Sequence, residues 1–207
     1  MIYTDFDVVK SEYAKAYPDS PFFDTWVPQE KFLSADIDGQ GNFTIGREDD
    51  GIYGIAIGPS PVIPIDWKNF SMDSRGIAGL PAEFKAVVEW DCYWAPTKTG
   101  DVVEAQQSTD DEIAAFLKLH APDSSVFPGN DEILQWVEIY DEGELAAVAA
   151  LCRWESGRVV ISSVGTHTDL RGRGLGKKLI EKCLIAGDAL GEKFLSLGVR
   201  QDRKSVV

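Results

Sequence analysis

Cysteine, histidine and basic residues are all scarce in this chain. Its 207 residues include 3 cysteines and 2 histidines, and 20 Lys and Arg stand against 34 Asp and Glu, giving a net charge of −14. The cysteines Cys92, Cys152 and Cys183 are odd in number and lack any metal-ligand spacing. We therefore expect free thiols in a reducing compartment and no bound metal.

Long hydrophobic runs and a signal peptide are also missing. No stretch approaches the roughly 20 apolar residues that span a bilayer, and the segment Met1–Asp7 lacks the basic and apolar parts of a secretion signal. The acidic net charge argues against nucleic-acid binding, which needs Lys and Arg to neutralise phosphates. These observations predict a cytoplasmic protein that contacts neither membrane nor nucleic acid.

The first part of the chain, residues 1–99, is predicted to be a β-rich region of unclear fold. Gly41–Arg47 and Gly51–Gly58 are typical of two strands joined by a tight turn, and Phe84–Trp94 of a third strand. A short helix is predicted over Glu12–Tyr17. The tryptophans here are expected in the core rather than in a binding cage: Trp26, Trp67, Trp90 and Trp94.

The second predicted domain, residues 100–207, has a sharper pattern. A strand at Asp101–Gln106 precedes a helix that is capped by Ser108 and stops before Pro122, and a loop follows at Ala121–Asn130. Three further strands are predicted, joined by turns at Asp141–Gly143 and Glu155–Gly157: Leu134–Tyr140, Leu145–Cys152 and Val159–Thr166.

A glycine-rich basic loop follows the last of these strands and leads into an amphipathic helix. The loop runs Arg171-Gly172-Arg173-Gly174-Leu175-Gly176-Lys177. A helix N-terminus offers unpaired amides and a partial positive charge, and glycines let phosphate oxygens approach those amides closely. Because guanidinium groups match phosphate geometry, the pattern predicts a diphosphate site.

Two familiar phosphate motifs do not fit this loop. A Rossmann fingerprint requires glycine where Lys177 stands, and a P-loop requires glycine at Arg171 and Ser or Thr at Lys178. The observed Arg-x-x-Gly-x-Gly pattern, between a strand and a helix, instead resembles the signature of the GNAT superfamily of N-acetyltransferases.

The resemblance runs from about Asp101 to Arg200, with Phe194–Arg200 as its final strand and one family helix replaced by the loop near Ser124–Asn130. It implies an α/β (α+β) fold with a mixed, mostly antiparallel central sheet flanked by helices, carrying a β-rich N-terminal extension. It also implies transfer of an acetyl group from acetyl-CoA to a primary amine by direct attack, on a small amine or a protein amino group.

The resemblance further assigns the acetyl-CoA contacts. The loop amides would hold the diphosphate, and the edge of the preceding strand would pair with the pantetheine arm and supply one amide to the thioester carbonyl. The residues so assigned are Val164, Gly165, Thr166, Arg171, Gly172, Arg173, Gly174, Leu175, Gly176 and Lys177.

The general base is open, with Glu138 and Glu155 as candidates because both are carboxylates near strand ends. His120 and His167 are weaker candidates. In the family a helix after the fifth strand carries a tyrosine as general acid and two strands follow, but here only Gln201–Val207 follow. Either the sequence is truncated at its C-terminus, or the N-terminal strands or a second subunit, as in a homodimer, complete the sheet.

Two other readings stay open at this point. In the first, the chain is an acyl-CoA-binding module with little or no catalysis that acts as a sensor or interaction partner. In the second, it is a phosphate- or nucleotide-binding domain of another kind. The acceptor substrate cannot be read from composition or spacing.

Overall fold

The computed structural model describes residues 1–80, 82, 84, 89–101 and 106–200. The chain divides after Val87 into two compact units. Three predicted segments fall wholly or partly outside the described residues: Phe84–Trp94, Asp101–Gln106 and Gln201–Val207.

The N-terminal unit is built on a five-stranded sheet in the order β1-β2-β3-β4-β5. All neighbouring strands are antiparallel except β4 and β5. The β3–β4 hairpin confirms the predicted strand pair, with Gly51 supplying the positive φ of the turn. The strands are β1 Ile2–Tyr3, β2 Phe32–Ile37, β3 Phe43–Asp49, β4 Gly51–Ile57 and β5 Asn69–Met72.

Two helices cover one face of this sheet, α1 (Phe6–Ala16) and α2 (Phe22–Trp26). The helix predicted over Glu12–Tyr17 is longer because Asp5 caps it, accepting hydrogen bonds from the amides of Asp7 and Val8. The core between helices and sheet is rich in aromatic and branched residues, among them Val9, Tyr13, Phe23, Phe43, Ile45 and Ile55.

The other face of the N-terminal sheet holds Trp67, whose ring lies directly on Gly54. A Cβ atom at Gly54 would lie 2.0 Å from Cε3 of the indole. Trp67 is only 7% exposed, and its amide is held by the carbonyl of Pro64. As predicted, Trp67 is a core residue, but the same prediction is wrong for Trp90 and Trp94, which are 56% and 46% exposed. Gly54 is required because nothing larger fits beneath the ring of Trp67.

We expect Gly54→Ala to lower the free energy of unfolding by about 2 kcal/mol, since the added methyl overpacks the indole. Urea denaturation measures the loss. In a Trp67→Leu background the same substitution should cost much less, because the clashing ring is gone. An equal cost in both backgrounds would contradict this packing.

The C-terminal unit is also built on a five-stranded sheet, in the order β6-β10-β9-β8-β7. Together the two mostly antiparallel sheets and their helices confirm the predicted fold class, including the β-rich N-terminal region. The strands are β6 Trp90–Pro96, β7 Ile133–Asp141, β8 Glu144–Arg153, β9 Val159–Thr166 and β10 Phe194–Arg200.

Two helices pack on opposite faces of this sheet. The helix α3 (Asp110–His120) packs on one face, against strand side chains that include Trp136, Val148 and Val160. The helix α4 (Leu175–Ala189) covers the other face, where Val137, Ala147, Ala149 and Ile161 are buried. Successive side chains of a strand point to opposite faces, so the near-continuous apolar run in β8 is buried on both.

The cap of α3 differs from the prediction. Thr109, not Ser108, is the N-cap, and it forms a capping box in which Thr109 and Glu112 each accept the other's amide hydrogen. The Ser108 hydroxyl lies 2.5 Å from the hydroxyl of Tyr140 instead. Glutamate at the fourth position of the box, which only Thr109 has, decides the register.

β6 pairs antiparallel with β10 from Phe194↔Pro96 to Arg200↔Trp90. It therefore lies in the second sheet, although it precedes the boundary that the sequence predicts at residues 99–100. The strands β3 and β4 pair within the first sheet. Pro96 is tolerated at the end of β6 because an edge strand leaves one side of its backbone unpaired.

Candidate functional site

The central feature of the second sheet is an opening between β9 and β10. These parallel strands pair only at Ser196↔Val160 and Leu197↔Ile161 among the described residues. Beyond Ile161, none of the described strands pairs with the edge of β9 that faces β10, while the other edge of β9 stays paired with β8 up to Thr166. Backbone groups of the segment 162–166 thus face the opening.

A bulge in β9 accompanies the divergence. The register with β8 shifts between Val148 and Ala150, and Ser163 has a φ of 50°. A bulge bends its strand and increases the local twist. The divergence of β9 from β10 is therefore built into the strand itself.

The glycine-rich loop follows β9 at the same end of the sheet. A short 3₁₀ turn, Thr168–Leu170, leads into Arg171, and Gly174 forms the N-cap of α4. Gly172 and Gly174 have φ values of 79° and 78°, which side chains disfavour. A Cβ at either position would meet no atom within 4 Å, so the loop needs glycine for its backbone and leaves open space in front.

The N-terminus of α4 receives no side-chain cap from the described part of the chain. The amides of the first turn have no partner within a helix, and they carry the positive end of its dipole. An uncapped helix start beside two positive-φ glycines fits a bound diphosphate. The cradle expected over Arg171–Lys177 stays a prediction.

Arg171 makes two hydrogen bonds that the sequence did not predict. Its Nη2 donates to the carbonyl of His120 at 2.8 Å, and its Nε lies 3.4 Å from the carbonyl of Thr166. The guanidinium thus ties the loop to the end of α3 and the end of β9, and its charge stays beside the loop. Arg173 is exposed and lies 3.6 Å from Asp141. An exposed ion pair of this kind contributes little to the stability of the fold.

The two histidines of the chain lie against each other beside this anchor, with their rings tilted by 40°. The ring centroids of His120 and His167 are 4.1 Å apart. Nδ1 of His120 accepts the amide hydrogen of Thr168 at 3.2 Å, and Nδ1 of His167 accepts that of Asp169 at 3.3 Å. A histidine ring that accepts a hydrogen bond at Nδ1 carries its proton on Nε2 when it is neutral. Both histidines therefore hold the start of the loop.

The pKa of His120 lies below its ordinary value. Burial is the largest cause, the neighbouring charges of His167 and Arg171 act in the same direction, and Asp169 opposes them. The folded state thus prefers the neutral ring, which is also the form that accepts the Thr168 amide hydrogen.

We expect this preference to make stability fall on acidification. Between the ordinary histidine value, near 6.5, and the lowered folded value, the unfolded chain binds the extra proton, so unfolding becomes easier as pH falls through that window. Urea denaturation at pH 7.5 and 5.0 measures the effect. His120→Asn, whose side-chain oxygen still accepts a hydrogen bond, should show a smaller pH dependence. An equal dependence in both proteins would contradict the assignment.

Glu138 lies in β7 on the α3 face of the sheet and is only 9% exposed. Its carboxylate accepts the amide hydrogens of Gln107 at 2.8 Å and Ser108 at 3.2 Å, and the Tyr140 hydroxyl lies 3.4 Å away. Desolvation raises the pKa of Tyr140, with the Glu138 charge acting in the same direction. The carboxylate is thus engaged in fixing the chain before α3.

Glu155 is exposed in the turn between β8 and β9. That turn adjoins the Arg153↔Val159 pair, whereas the loop follows Thr166 at the other end of β9. Seven steps along a strand span about 23 Å. The structure therefore brings together Val164–Thr166, the basic loop and the histidines, and leaves Glu155 at the opposite end of the sheet.

Ser162 and Ser163 make contacts that the sequence analysis did not predict. Both are buried, and their hydroxyls bond to Ser125 and Val126 in the loop between α3 and β7. The available signal was the pair of adjacent hydroxyls inside an apolar strand, because buried hydroxyls need hydrogen-bond partners.

Two further features, a membrane-spanning helix and a metal-binding cluster, are not found in the described ranges. None of the helices there is both long enough and apolar enough to cross a bilayer. No group of three or more His, Cys, Asp or Glu side chains in the same ranges is arranged to hold a metal ion.

Comparison with known proteins gives a family and one related structure. The family model described as Acetyltransferase (GNAT) family matches residues 94–207. A crystal structure of a GNAT-family protein from Novosphingobium aromaticivorans is similar at 19% identity, with a TM-score of 0.40, over 62% of this chain and 69% of that one. No curated protein matches the chain. The match over residues 94–207 covers more than half of the sequence and confirms the resemblance seen in its motif: the chain belongs to the GNAT family of acetyltransferases.

Proposed function

We propose that the C-terminal unit binds acetyl-CoA in the opening beside β9 and transfers its acetyl group to a primary amine. The observation that carries this proposal is the continuity between two features. The uncapped start of α4 lies directly after the β9 edge that diverges from β10. One elongated ligand with a diphosphate and an amide-bearing arm would satisfy both.

The diphosphate is proposed to lie against the amides of residues 171–177. Gly172 and Gly174 supply the backbone conformation, and the α4 dipole with Arg171, Arg173 and Lys177 supplies positive charge. Arg171 contributes mainly by fixing the loop through its bonds to the carbonyls of His120 and Thr166. The charged groups are thereby held in place before the anion arrives.

The pantetheine arm is proposed to pair with the free edge of β9 at Val164, Gly165 and Thr166. Gly165 packs tightly against α3, where a Cβ would lie 3.3 Å from atoms of Phe116, Leu117 and Ala121. This contact fixes the edge. The thioester then lies near the narrow end of the opening, which is the end where β9 and β10 still pair. A β9 amide there can donate a hydrogen bond to the thioester carbonyl oxygen.

In the transfer the amine nitrogen attacks the thioester carbonyl carbon. A C–N bond forms, the C–S bond breaks, and the sulfur leaves as a thiolate that takes up a proton. The amine must lose its own proton, since a lysine-like amine with a pKa of about 10.4 is mostly protonated at neutral pH. Neither carboxylate candidate is placed as an unengaged base, because Glu138 already accepts two amide hydrogens and Glu155 lies at the far end of β9.

That arrangement favours a second candidate function, binding of acyl-CoA without turnover. Calorimetry with acetyl-CoA tests the shared step, and thiol release across small primary amines and lysine peptides separates the two. Burial raises the pKa of Cys92 and Cys152 to about 11 and of Cys183 to about 12, so the protein's own thiols should give little background. Binding of ADP or NAD in preference to acetyl-CoA would reject both.

A further inference from the structure

The least expected backbone conformation in the second sheet is at Ser163. Among the described non-glycine residues only Glu142 and Ser163 have a positive φ. Glu142 lies in a hairpin turn, where this is common, but Ser163 lies inside a buried strand. For most side chains such a conformation is strained, and strain persists only where surrounding contacts enforce it.

Contacts of the two serine hydroxyls supply that enforcement. Oγ of Ser163 donates to the carbonyl of Val126 at 2.7 Å and accepts the amide hydrogen of Val126 at 3.0 Å. Oγ of Ser162 lies 2.6 Å from Oγ of Ser125. All of these groups except Ser125 are buried. One hydroxyl thus satisfies both backbone groups of a buried residue in the α3–β7 loop.

The same serine coincides with two other features. The β8–β9 register shifts beside it, and the β9–β10 ladder ends two residues earlier, at Ile161↔Leu197. A glycine would adopt the backbone conformation without strain, but it has no hydroxyl to reach Val126. Serine therefore makes the hydrogen bonds to Val126 but holds its own backbone in a strained conformation.

We infer that Ser163 is a positioning residue for acetyl transfer, which clamps the bulge of β9 to the α3–β7 loop. This inference rests on the proposed function. With the clamp closed, the β9 amides keep one direction at the narrow end of the opening, where the thioester is proposed to lie. The clamp also holds the Ser125–Val126 segment beside that end.

Three substitutions separate the hydroxyl from the strain. Ser163→Gly loses the hydroxyl and relieves the strain, Ser163→Thr keeps the hydroxyl and adds a branch that the backbone disfavours, and Ser163→Ala loses the hydroxyl while the strain remains. If the clamp positions the reacting groups, kcat should follow the hydroxyl, whereas the melting temperature should follow the strain and the unpaired Val126 groups.

The test uses the full chain, with acetyl-CoA and the best amine from the panel. Ser163→Gly should lower kcat by about 10- to 100-fold, because small misplacements near the reacting atoms reduce the rate by that much. Its melting temperature should change little, because relief of the backbone strain offsets the loss of the hydrogen bonds to Val126. Ser163→Thr should keep kcat within about threefold but melt earlier, and Ser163→Ala should lose both. The Kd for acetyl-CoA should stay within about threefold throughout, since the phosphate loop is untouched.

Ser124→Ala is the matched control, because the Ser124 hydroxyl bonds within its own loop, to the carbonyl of Ala121 at 2.7 Å. It should leave kcat unchanged. Hydrogen exchange provides a readout that does not need activity: the Val126 amide and the β9 edge should exchange faster in Ser163→Gly than in the wild type.

Each outcome decides the inference. Wild-type kcat in Ser163→Gly, or unchanged exchange at Val126, overturns the clamp. If the wild-type chain neither binds acetyl-CoA nor releases thiol, the proposed function fails and the positioning role fails with it. Faster exchange at Val126 would then show a purely structural clamp.

Discussion

Gly174→Val should weaken acetyl-CoA binding by about 100-fold, or about 2.7 kcal/mol. Gly174 caps α4 with a φ of 78°. Valine at this backbone angle is strained by roughly 1–2 kcal/mol, so the first turn of the helix must shift. Its side chain would also fill the open space in front of the loop, where a Cβ now meets no atom within 4 Å. Hydrogen bonds from these amides to a charged phosphate contribute about 1.5–3 kcal/mol each, so losing one or two accounts for the effect.

The other end of the same helix provides the control. Gly191 follows α4 with a φ of 82°, and a Cβ there also meets no atom within 4 Å. Gly191→Val should therefore cause a similar strain, but at the negative end of the dipole and away from the loop. Calorimetry at fixed ionic strength should show nearly wild-type affinity for Gly191→Val, with comparable melting temperatures for the two variants. Equal affinities in both variants would remove the phosphate cradle from the proposal.

The loop and its flanking elements were predictable because their signals are local. β9 and β10 have the predicted bounds, and α4 begins after Gly174, where the alternating glycines give way to an apolar periodicity. Strand, glycine loop and helix N-terminus follow one another along the chain. The geometry of these three elements is therefore determined by short-range conformational preferences, which can be inferred from the local sequence.

The rest of the site depends on contacts between distant segments. Arg171 bonds the carbonyl of His120, and Ser163 bonds both backbone groups of Val126. Neither partner is distinguished by residue type, because the groups used are backbone atoms. The sequence shows that Arg171 is basic and that Ser163 is small and polar, but not that one serves as an anchor and the other as a clamp.

The same limit applies to the carboxylates. Glu138 and Glu155 are alike in sequence as acids near strand ends, yet one is buried among amides and the other is exposed in a turn at the opposite end of β9. Burial and the identity of the donors decide the role of a carboxylate, and both depend on how the strands pair. The register of β7 with β8, including its two irregularities, is not encoded in any local pattern.

Glu138→Ala should destabilise the fold by about 2 kcal/mol or more, because it removes the carboxylate that accepts two amide hydrogens, one of them from the buried Ser108. Those donors are the amides of Gln107 and Ser108, which lead into the capping box of α3. Glu138→Gln should cost less, since its carbonyl oxygen still accepts one of the two while its amide group opposes the other. Urea denaturation of the three proteins measures the order.

The same pair of variants tests whether Glu138 is a base. If its role is to hold the chain before α3, kcat of folded Glu138→Gln should stay within about threefold of wild type and keep its pH profile. Loss of a general base would instead lower kcat by about 100- to 10,000-fold and remove the acidic limb of the profile. We expect the first outcome, because two backbone donors already occupy a carboxylate that would have to face the amine.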